Sequence, residues 1–340
     1  MIPWRKPSSS ADENESAKRV LVIQLGGIAE FVQALAAAKR IREHHFGARI
    51  TLLTTEETRD LAEKSPYFDT VEADGKPKDP QTITKLIARI RAAKYDMIYD
   101  LEGSNRTNNY FQGMRPWPPK WSGPVAGASH AYLDPDRAHL HPFDRLDAQL
   151  NAAGVRGDGS PLMADLSWMR GALQNPPRMQ PDYFGIRGRY VVLLPRGSDA
   201  LPNRRWPEEK YVDLAHRIAS QGVTPVVLGG PDERPIGAAI AKAEPRAKNL
   251  VTRPDFAQSV GLLERASFVV GDDVELMHVA AAAGTPALVF LSSLSRPELA
   301  TPRGAGGVVA LTAAVIGDLP VEQVEMQLRN CGVYHHAATA

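Results

Sequence analysis

Several carboxylates and guanidinium groups in this 340-residue chain stand where strand-like runs give way to helix-like ones. Doubly wound sheets hold their ligands at such strand ends. The first is Glu30, just after the glycine pair of "QLGGIAEF". Two glycines let the backbone turn tightly and approach a ligand, and the helix that follows aims its first amides there. Glu30 is also a first-turn carboxylate, which the helix dipole favours in any case, so a structural and a chemical role both stay open. The absence of a full GxGxxG pattern argues against a dinucleotide fingerprint. The second stretch, "LLPRGSDALPNRRWPEEKY" (193–211), combines Gly197 and Ser198 in a turn with Arg204 and Arg205. Guanidinium groups beside such a turn can grip a diphosphate bidentately, or can simply form a solvated basic loop. In "VVLGGPDER" (226–234), Asp232 and Glu233 either accept from ribose hydroxyls or cap a helix. In "VVGDDVELMHVAAAAGTP" (269–286), Asp273 and His278 offer a carboxylate and a donor to phosphate or sugar, or a structural pair. Here Asp272, Asp273 and Glu275 crowd a turn that should otherwise welcome an anion.

The elements that must position these groups follow from hydrophobic period. "RVLVIQLGG" (19–27), "ARITLLTT" (48–55) and "YDMIYDL" (95–101) are buried-strand runs, with a shorter strand at 70–72. Helical spacing covers 30–45, with Phe31, Leu35, Ala38 and Ile41 on one face, and helices are also expected at 56–64, 81–93 and 141–154. A second alternating series has strands at 190–195, 224–230, 267–272 and 286–291, and helices near 207–221, 232–242, 256–265 and 275–283. Alternation of this kind means parallel βαβ units. The expected organisation is a disordered leader (1–18), a first Rossmann-like domain (19–155), a connection rich in Gly, Pro, Arg and Met (156–188), a second Rossmann-like domain (189–319), and a C-terminal helix and tail (320–340) whose helix packs back on the first half.

Composition narrows the function classes. Hydrophobic residues make up 43% and charged residues 23%, a soluble globular profile. The net charge of +1 argues against a general nucleic-acid binder. The lone Cys331 excludes a disulfide framework and a cysteine-rich metal site. The longest apolar stretch, 279–291, is interrupted by Gly284 and Pro286 and is shorter than the roughly 20 residues of a spanning helix. Trp4, Arg5 and Lys6 in the leader either touch an anionic membrane surface or stay solvated. "DPD" (134–136) reads as a turn, and the histidines at 130, 139 and 141 form no closed ligand set, so no metal is expected.

Taken together, the strand-end motifs resemble glycosyltransferase family 9, the heptosyltransferases that build the inner core of bacterial lipopolysaccharide. The resemblance runs from Arg19 to Gly304. It is strongest in "RRWPEEKYVDLAHRIASQGVTPVVLGGPDE" and "VVGDD…MHVAAAAGTP", and "KYDMIYDLEGSNR" (94–106) also fits. It implies a GT-B fold, two doubly wound Rossmann-like domains facing a cleft. It also implies inverting transfer of a heptose from an ADP-activated donor to a lipid-linked core saccharide, with no metal and no cofactor. Carried over by position, Glu30 matches the family's general base, one methylene longer than the usual aspartate. Arg204 matches the phosphate-contacting base before Trp-Pro, with Gly197, Ser198 and Arg205 beside it on the donor side. Asp232 or Glu233 matches the ribose acid, Asp273 the sugar-contacting aspartate, and His278 the loop histidine. Arg106, Arg115 and Lys120, near Trp117 and Trp121, are the expected acceptor contacts. The chain departs from the family at Val274 and Glu275, where a small hydroxyl residue and a glycine are usual, and at "SSLSR" (292–296), which replaces a "GPTSP"-like turn. These departures keep a second reading open, a non-catalytic relative that binds a sugar or nucleotide or assists assembly. The implied location is cytoplasmic, with a peripheral inner-membrane contact left open and no nucleic-acid partner.

Overall fold

The structure is a computed structural model that describes residues 19–170, 179–196 and 204–334. The chain divides into two compact units, Met1–Ala164 and Asp165–Ala340.

The first unit is built on β1 (Arg19–Ile23), α1 (Ile28–His44), β2 (Arg49–Leu53), α2 (Arg59–Lys64), β3 (Thr70–Glu72), α3 (Pro80–Ala92), β4 (Met97–Asp100), α4 (Asn105–Gly113), β5 (Lys120–Gly123), β6 (His130–Ala131) and α5 (Pro142–Ala152). Its six strands pair in parallel in the order β3-β2-β1-β4-β5-β6. Buried on both faces, the central strands β1 and β2 read as largely apolar runs rather than alternating ones; in both, everything after the first arginine is buried. The helices announce themselves at their ends. Asp79 accepts from the Thr82 amide ahead of Pro80, and Ser104 with Thr107 forms a capping box on α4. Helix α1 lays Phe31, Val32, Leu35, Ala38 and Ile41 against the sheet.

The second unit contains β7 (Tyr190–Leu194), α6 (Glu208–Ser220), β8 (Thr224–Val227), α7 (Arg234–Ala243), β9 (Lys248–Asn249), α8 (Phe256–Arg265), β10 (Phe268–Asp272), α9 (Glu275–Ala282), β11 (Ala287–Ser292), α10 (Pro297–Ala300), β12 (Val308–Ala313) and α11 (Val321–Asn330). Its strands are likewise parallel, in the order β12-β11-β10-β7-β8-β9. The core gathers Val191, Leu193, Phe268 and Phe290 from the sheet with Trp206, Tyr211 and Leu214. Gly271 is required where β10 passes β7, because a Cβ there would lie 2.2 Å from the Leu194 carbonyl oxygen.

The last helix is part of the second unit: Val321, Val324 and Leu328 of α11 belong to its core, and Arg217 of α6 reaches Glu322 and Glu325 on it. The strands β5, β6 and β9 escape the periodicity reading, since two to four residues cannot display a period, and β12 escapes it because none of its six residues is fully buried.

In each sheet the first strand is flanked by its successors on both sides, β1 by β2 and β4, and β7 by β8 and β10. Each unit therefore has a switch point, where the loops leaving two neighbouring strands diverge and open a crevice at the carboxyl ends. Glu30 follows β1, and Asp273 follows β10, so both stand at these places.

Candidate active site

At the first switch point a cavity of about 360 Å³ is lined by residues that include Gln24, Gly26, Gly27, Glu30, Lys76, Glu102 and Arg145. The glycine turn is braced by Gln24, whose Oε1 accepts from the Gly26 amide at 2.7 Å and whose Nε2 donates to the Glu30 carbonyl at 3.2 Å. A Cβ on Gly26 would fall 2.8 Å from the Cβ of Glu30. The glycine is thus what allows a side chain at position 30 to stand over the turn. Glu30 itself is exposed, in the first turn of α1. Glu102, at the end of β4, accepts from the Leu25 amide at 3.1 Å, and Lys76 Nζ donates to the Leu25 carbonyl at 3.4 Å. The cavity therefore sets two carboxylates beside two cations over a backbone turn. Glu102, Lys76 and Arg145 went unnoticed in the sequence; Glu102 alone carried a signal, because it directly follows a strand.

Beneath this cavity Asp100 is fully buried. Its Oδ1 accepts from the Gly103 amide at 2.9 Å, while Oδ2 has no hydrogen-bond partner among the described residues. Burial pushes its carboxyl up to about 7, against the pull of the Gly103 amide, Thr107 and Arg137.

The expected acceptor contacts are not brought to this cavity. Parallel pairing sets Lys120 level with Met97, at the amino end of the sheet, whereas the cavity lies at the carboxyl ends. Arg115 stacks over the Phe111 ring at 5.8 Å and does not line the cavity. Arg106 donates to the Pro77 carbonyl at 2.7 Å and, with Tyr110 donating to the Gly75 carbonyl, braces the loop that carries Lys76. Of the two nearby tryptophans, Trp117 is 83% exposed, but Trp121 is fully buried and packs edge-on against Phe111, so it offers no surface to a ligand.

At the second switch point the crowd of carboxylates separates into three roles. Asp272 is fully buried. It accepts from the Arg196 amide at 2.9 Å, the Trp206 amide at 3.0 Å and the Tyr211 hydroxyl at 3.0 Å. It ties β10 to the segments after β7 and before α6. Burial pushes its carboxyl up to about 7 in spite of these donors. Asp273 stands 3.6 Å from Nε2 of His278, one turn along α9. Glu275 is exposed in the first turn of α9, after Val274, which supplies no side-chain cap. Arg204 is exposed and Arg205 half-buried just before Trp206. Trp206 is locked between Tyr211 and Phe290, with both ring centroids at 4.9 Å, and donates to the Leu319 carbonyl. Gly197 and Ser198 lie outside the described residues. Glu233 accepts from the Gly230 amide at 2.7 Å, a cap, whereas Asp232 stands exposed. Because β10, β7 and β8 are neighbours in the sheet, Asp273, Arg204, Arg205 and Asp232 stem from segments that follow adjacent strands, and His278 from the helix after β10. Among the described residues no group of three or more His, Cys, Asp or Glu side chains could hold a metal ion, and no helix is long and apolar enough to cross a membrane.

Solved structures share this architecture. A glycosyl transferase family 9 protein from Veillonella parvula superimposes with a TM-score of 0.75 at 18% identity, covering 92% of this chain and 97% of its own. The Escherichia coli ADP-heptose lipopolysaccharide heptosyltransferase II gives 0.73 at 17% identity, covering 92% and 98%. Two all-parallel Rossmann-like domains, each with polar residues at its own switch point, place the protein in the GT-B fold class. The model of glycosyltransferase family 9 (heptosyltransferase) matches residues 83–302, and the chain belongs to that family. Among curated relatives, lipooligosaccharide heptosyltransferase 2 of Haemophilus influenzae is 31% identical over 195 residues, which are 54% of this chain and 55% of that protein. Lipopolysaccharide heptosyltransferase 2 of Salmonella typhimurium is 33% identical over 129 residues, 36% of this chain and 37% of the relative. The chain thus spans about half the length, or less, of these curated relatives.

Proposed function

We propose that the protein is an inverting glycosyltransferase that moves a heptose-like sugar from a nucleotide donor, with ADP as the nucleotide, to a lipopolysaccharide core or related lipid-linked acceptor. The observation that carries this reading is Glu30, a carboxylate held over a braced glycine turn in a cavity at a strand-end switch point, in a chain of a heptosyltransferase family. In this reading the first unit receives the acceptor, and Glu30 removes the proton of the attacking hydroxyl. The second unit receives the donor. Arg204 and Arg205 and the α9 amides meet the diphosphate as it leaves with negative charge, Asp273 and His278 meet the sugar or phosphate, and Asp232 the ribose. The work is cytoplasmic, with peripheral contact to the inner membrane where the acceptor resides.

The test is acceptor-dependent release of ADP from an ADP-activated heptose by the full chain. Glu30→Gln should lower the chemical rate by roughly 10²–10⁴-fold and leave ADP affinity nearly intact; unchanged turnover removes Glu30 from the mechanism. A second reading is favoured by Glu275, which puts a negative charge at the start of α9. In it the protein binds nucleotide or sugar without transferring it. ADP binding without turnover on any acceptor selects that reading.

A further inference from the structure

The buried carboxyl at the second switch point is wired so that both of its protonation states are hydrogen-bonded. Asp272 Oδ1 accepts from the Trp206 amide at 3.0 Å, and Oδ2 from the Arg196 amide at 2.9 Å. The hydroxyl oxygen of Tyr211 stands 3.0 Å from Oδ2, 3.2 Å from the Leu194 carbonyl oxygen and 3.1 Å from the Asp272 amide, which donates to it. A hydroxyl has one proton to give and two lone pairs to receive. With the carboxylate ionised, Tyr211 donates to Oδ2. With Oδ2 protonated, the same hydroxyl accepts from it and turns its own proton to the Leu194 carbonyl. Oδ2 keeps a lone pair for the Arg196 amide, so neither amide is released and no group is stranded. Burial pushes the Tyr211 hydroxyl well above the usual tyrosine range, so it keeps its own proton throughout.

The surroundings leave this carboxyl close to balance. From the end of β7 the charge of Arg196 favours the ionised form. The β11 register sets the uncharged Phe290 beside it, and Trp206 brings no charge. On α6, Lys210 turns to the Gly317 and Leu319 carbonyls, and Glu208 and Glu209 stand exposed. Towards α9, Asp273 with His278 at 3.6 Å is followed by the exposed Glu275. Burial outweighs the donors and pushes the Asp272 carboxyl up to about 7, so one further charge nearby tips it. Helix α9 begins at Glu275, and at no more than about 3.6 Å per residue its first amide lies within roughly 11 Å of Asp272. A negative charge at that distance, in a partly buried setting, favours the neutral carboxyl by roughly tenfold.

We propose that Asp272 takes up a proton from solvent when the donor's diphosphate binds at the second switch point, and that Tyr211 reverses its hydrogen bond to receive that proton. The identity of the anion as the donor rests on the proposed function. Three carboxylates can then crowd this turn without barring an anion, because the one inside the strand gives up its charge. The sign follows from where the proton is held. On the acid side of about pH 7 the carboxyl already carries it and binding brings none. Above that, binding must bring one, so affinity falls by up to roughly tenfold as pH rises from about 7 to about 8.

Calorimetry of the full chain with ADP-glucose, in two buffers of different ionisation enthalpy, counts the protons. The probe is a diphosphate diester, whereas the terminal phosphate of ADP titrates near neutral pH itself. Uptake of about half a proton is expected at about pH 7.5 and almost none at about pH 5.5. Asp272→Asn should lose that uptake. His278→Gln, which removes the other group at this turn able to take a proton near neutral pH, should weaken binding and keep it. Where Asp272→Asn is too unstable to titrate, the proton counts for the parent and for His278→Gln decide. Binding without uptake, or uptake that disappears with His278, overturns the linkage and leaves the donor reading standing. Absence of binding at concentrations on the order of tens of millimolar overturns the donor reading, and the linkage with it.

Discussion

Carboxylates that look alike in the sequence separate once their surroundings are known. Asp272 and Asp273 are adjacent, yet one is sealed among three donors and the other stands near a histidine. Asp272→Asn would turn an amide NH₂ towards the Arg196 and Trp206 amides or the Tyr211 hydroxyl, leaving buried donors facing each other. It should cost on the order of 2–4 kcal/mol in denaturant unfolding; a cost below about 0.5 kcal/mol would show that the site rearranges freely. Asp100 poses a different case, because its Oδ2 meets no donor. Its folded carboxyl keeps a proton up to about 7, whereas in the unfolded chain the proton leaves near 3.9. Between these values the folded state binds more protons, so its contribution to stability is fully present below about pH 4 and is lost as pH rises through about 7. Asp272, raised for the same reason, adds a parallel fall. Asp100→Asn keeps the acceptor for Gly103 and cannot ionise. It should remove about half of that fall, on the order of 4 kcal/mol at most, and be more stable than the parent above pH 7. Identical stability-versus-pH curves for variant and parent would refute the assignment.

Among the elements, α11 tests which force anchors a helix. It offers α6 an ion-pair network, Arg217 with Asp213, Glu322 and Glu325, and Arg329 with Glu325. It also offers apolar residues, of which Val324 and Leu328 are fully buried. Exposed ion pairs are worth roughly 0–1 kcal/mol and weaken with salt, while emptying a buried leucine site costs roughly 2–5 kcal/mol. Burial wins. Leu328→Ala should lower the second unit's stability by about that larger amount, and Arg217→Gln by about 1 kcal/mol or less, most of it gone at high salt. Urea unfolding of both variants at low and high salt decides; a larger loss for Arg217→Gln would make α11 an electrostatic latch.

For the molecule as a whole, the consequence of two separate sheets is that each unit has a core of its own. The second owns the cluster that runs from Val191 to Val333, and the first a cluster from Leu21 to Val125. A unit with its own hydrophobic core can in principle fold alone. The fragment 165–340 should fold cooperatively and, as a consequence of the proposed function, keep the ADP affinity of the full chain within a few-fold; circular dichroism and calorimetry report each property. An unfolded fragment would show that its core is insufficient without residues 1–164. A folded fragment without ADP affinity would count against its role as the donor side.

Much of this protein is legible in its sequence, for definite reasons. A parallel strand buried on both faces must be a continuous apolar run, so β1, β2, β7, β10 and β11 announce themselves in the order that makes a doubly wound sheet. Strand ends hold ligands in such sheets, so Glu30, Arg204, Asp232, Asp273 and His278 can be found by searching there. Tertiary structure alone decides which of these groups share a site. Leu25 meets Lys76 and Glu102 across 51 and 77 residues, because strand order brings distant loops to one switch point. Register sets Lys120 at the amino end of its sheet. Burial makes Asp272 a brace and Trp121 part of the core. A charge in a sequence is only a type of residue; whether it faces water, a partner or another charge of its own sign depends on loops that converge only after the sheets have formed.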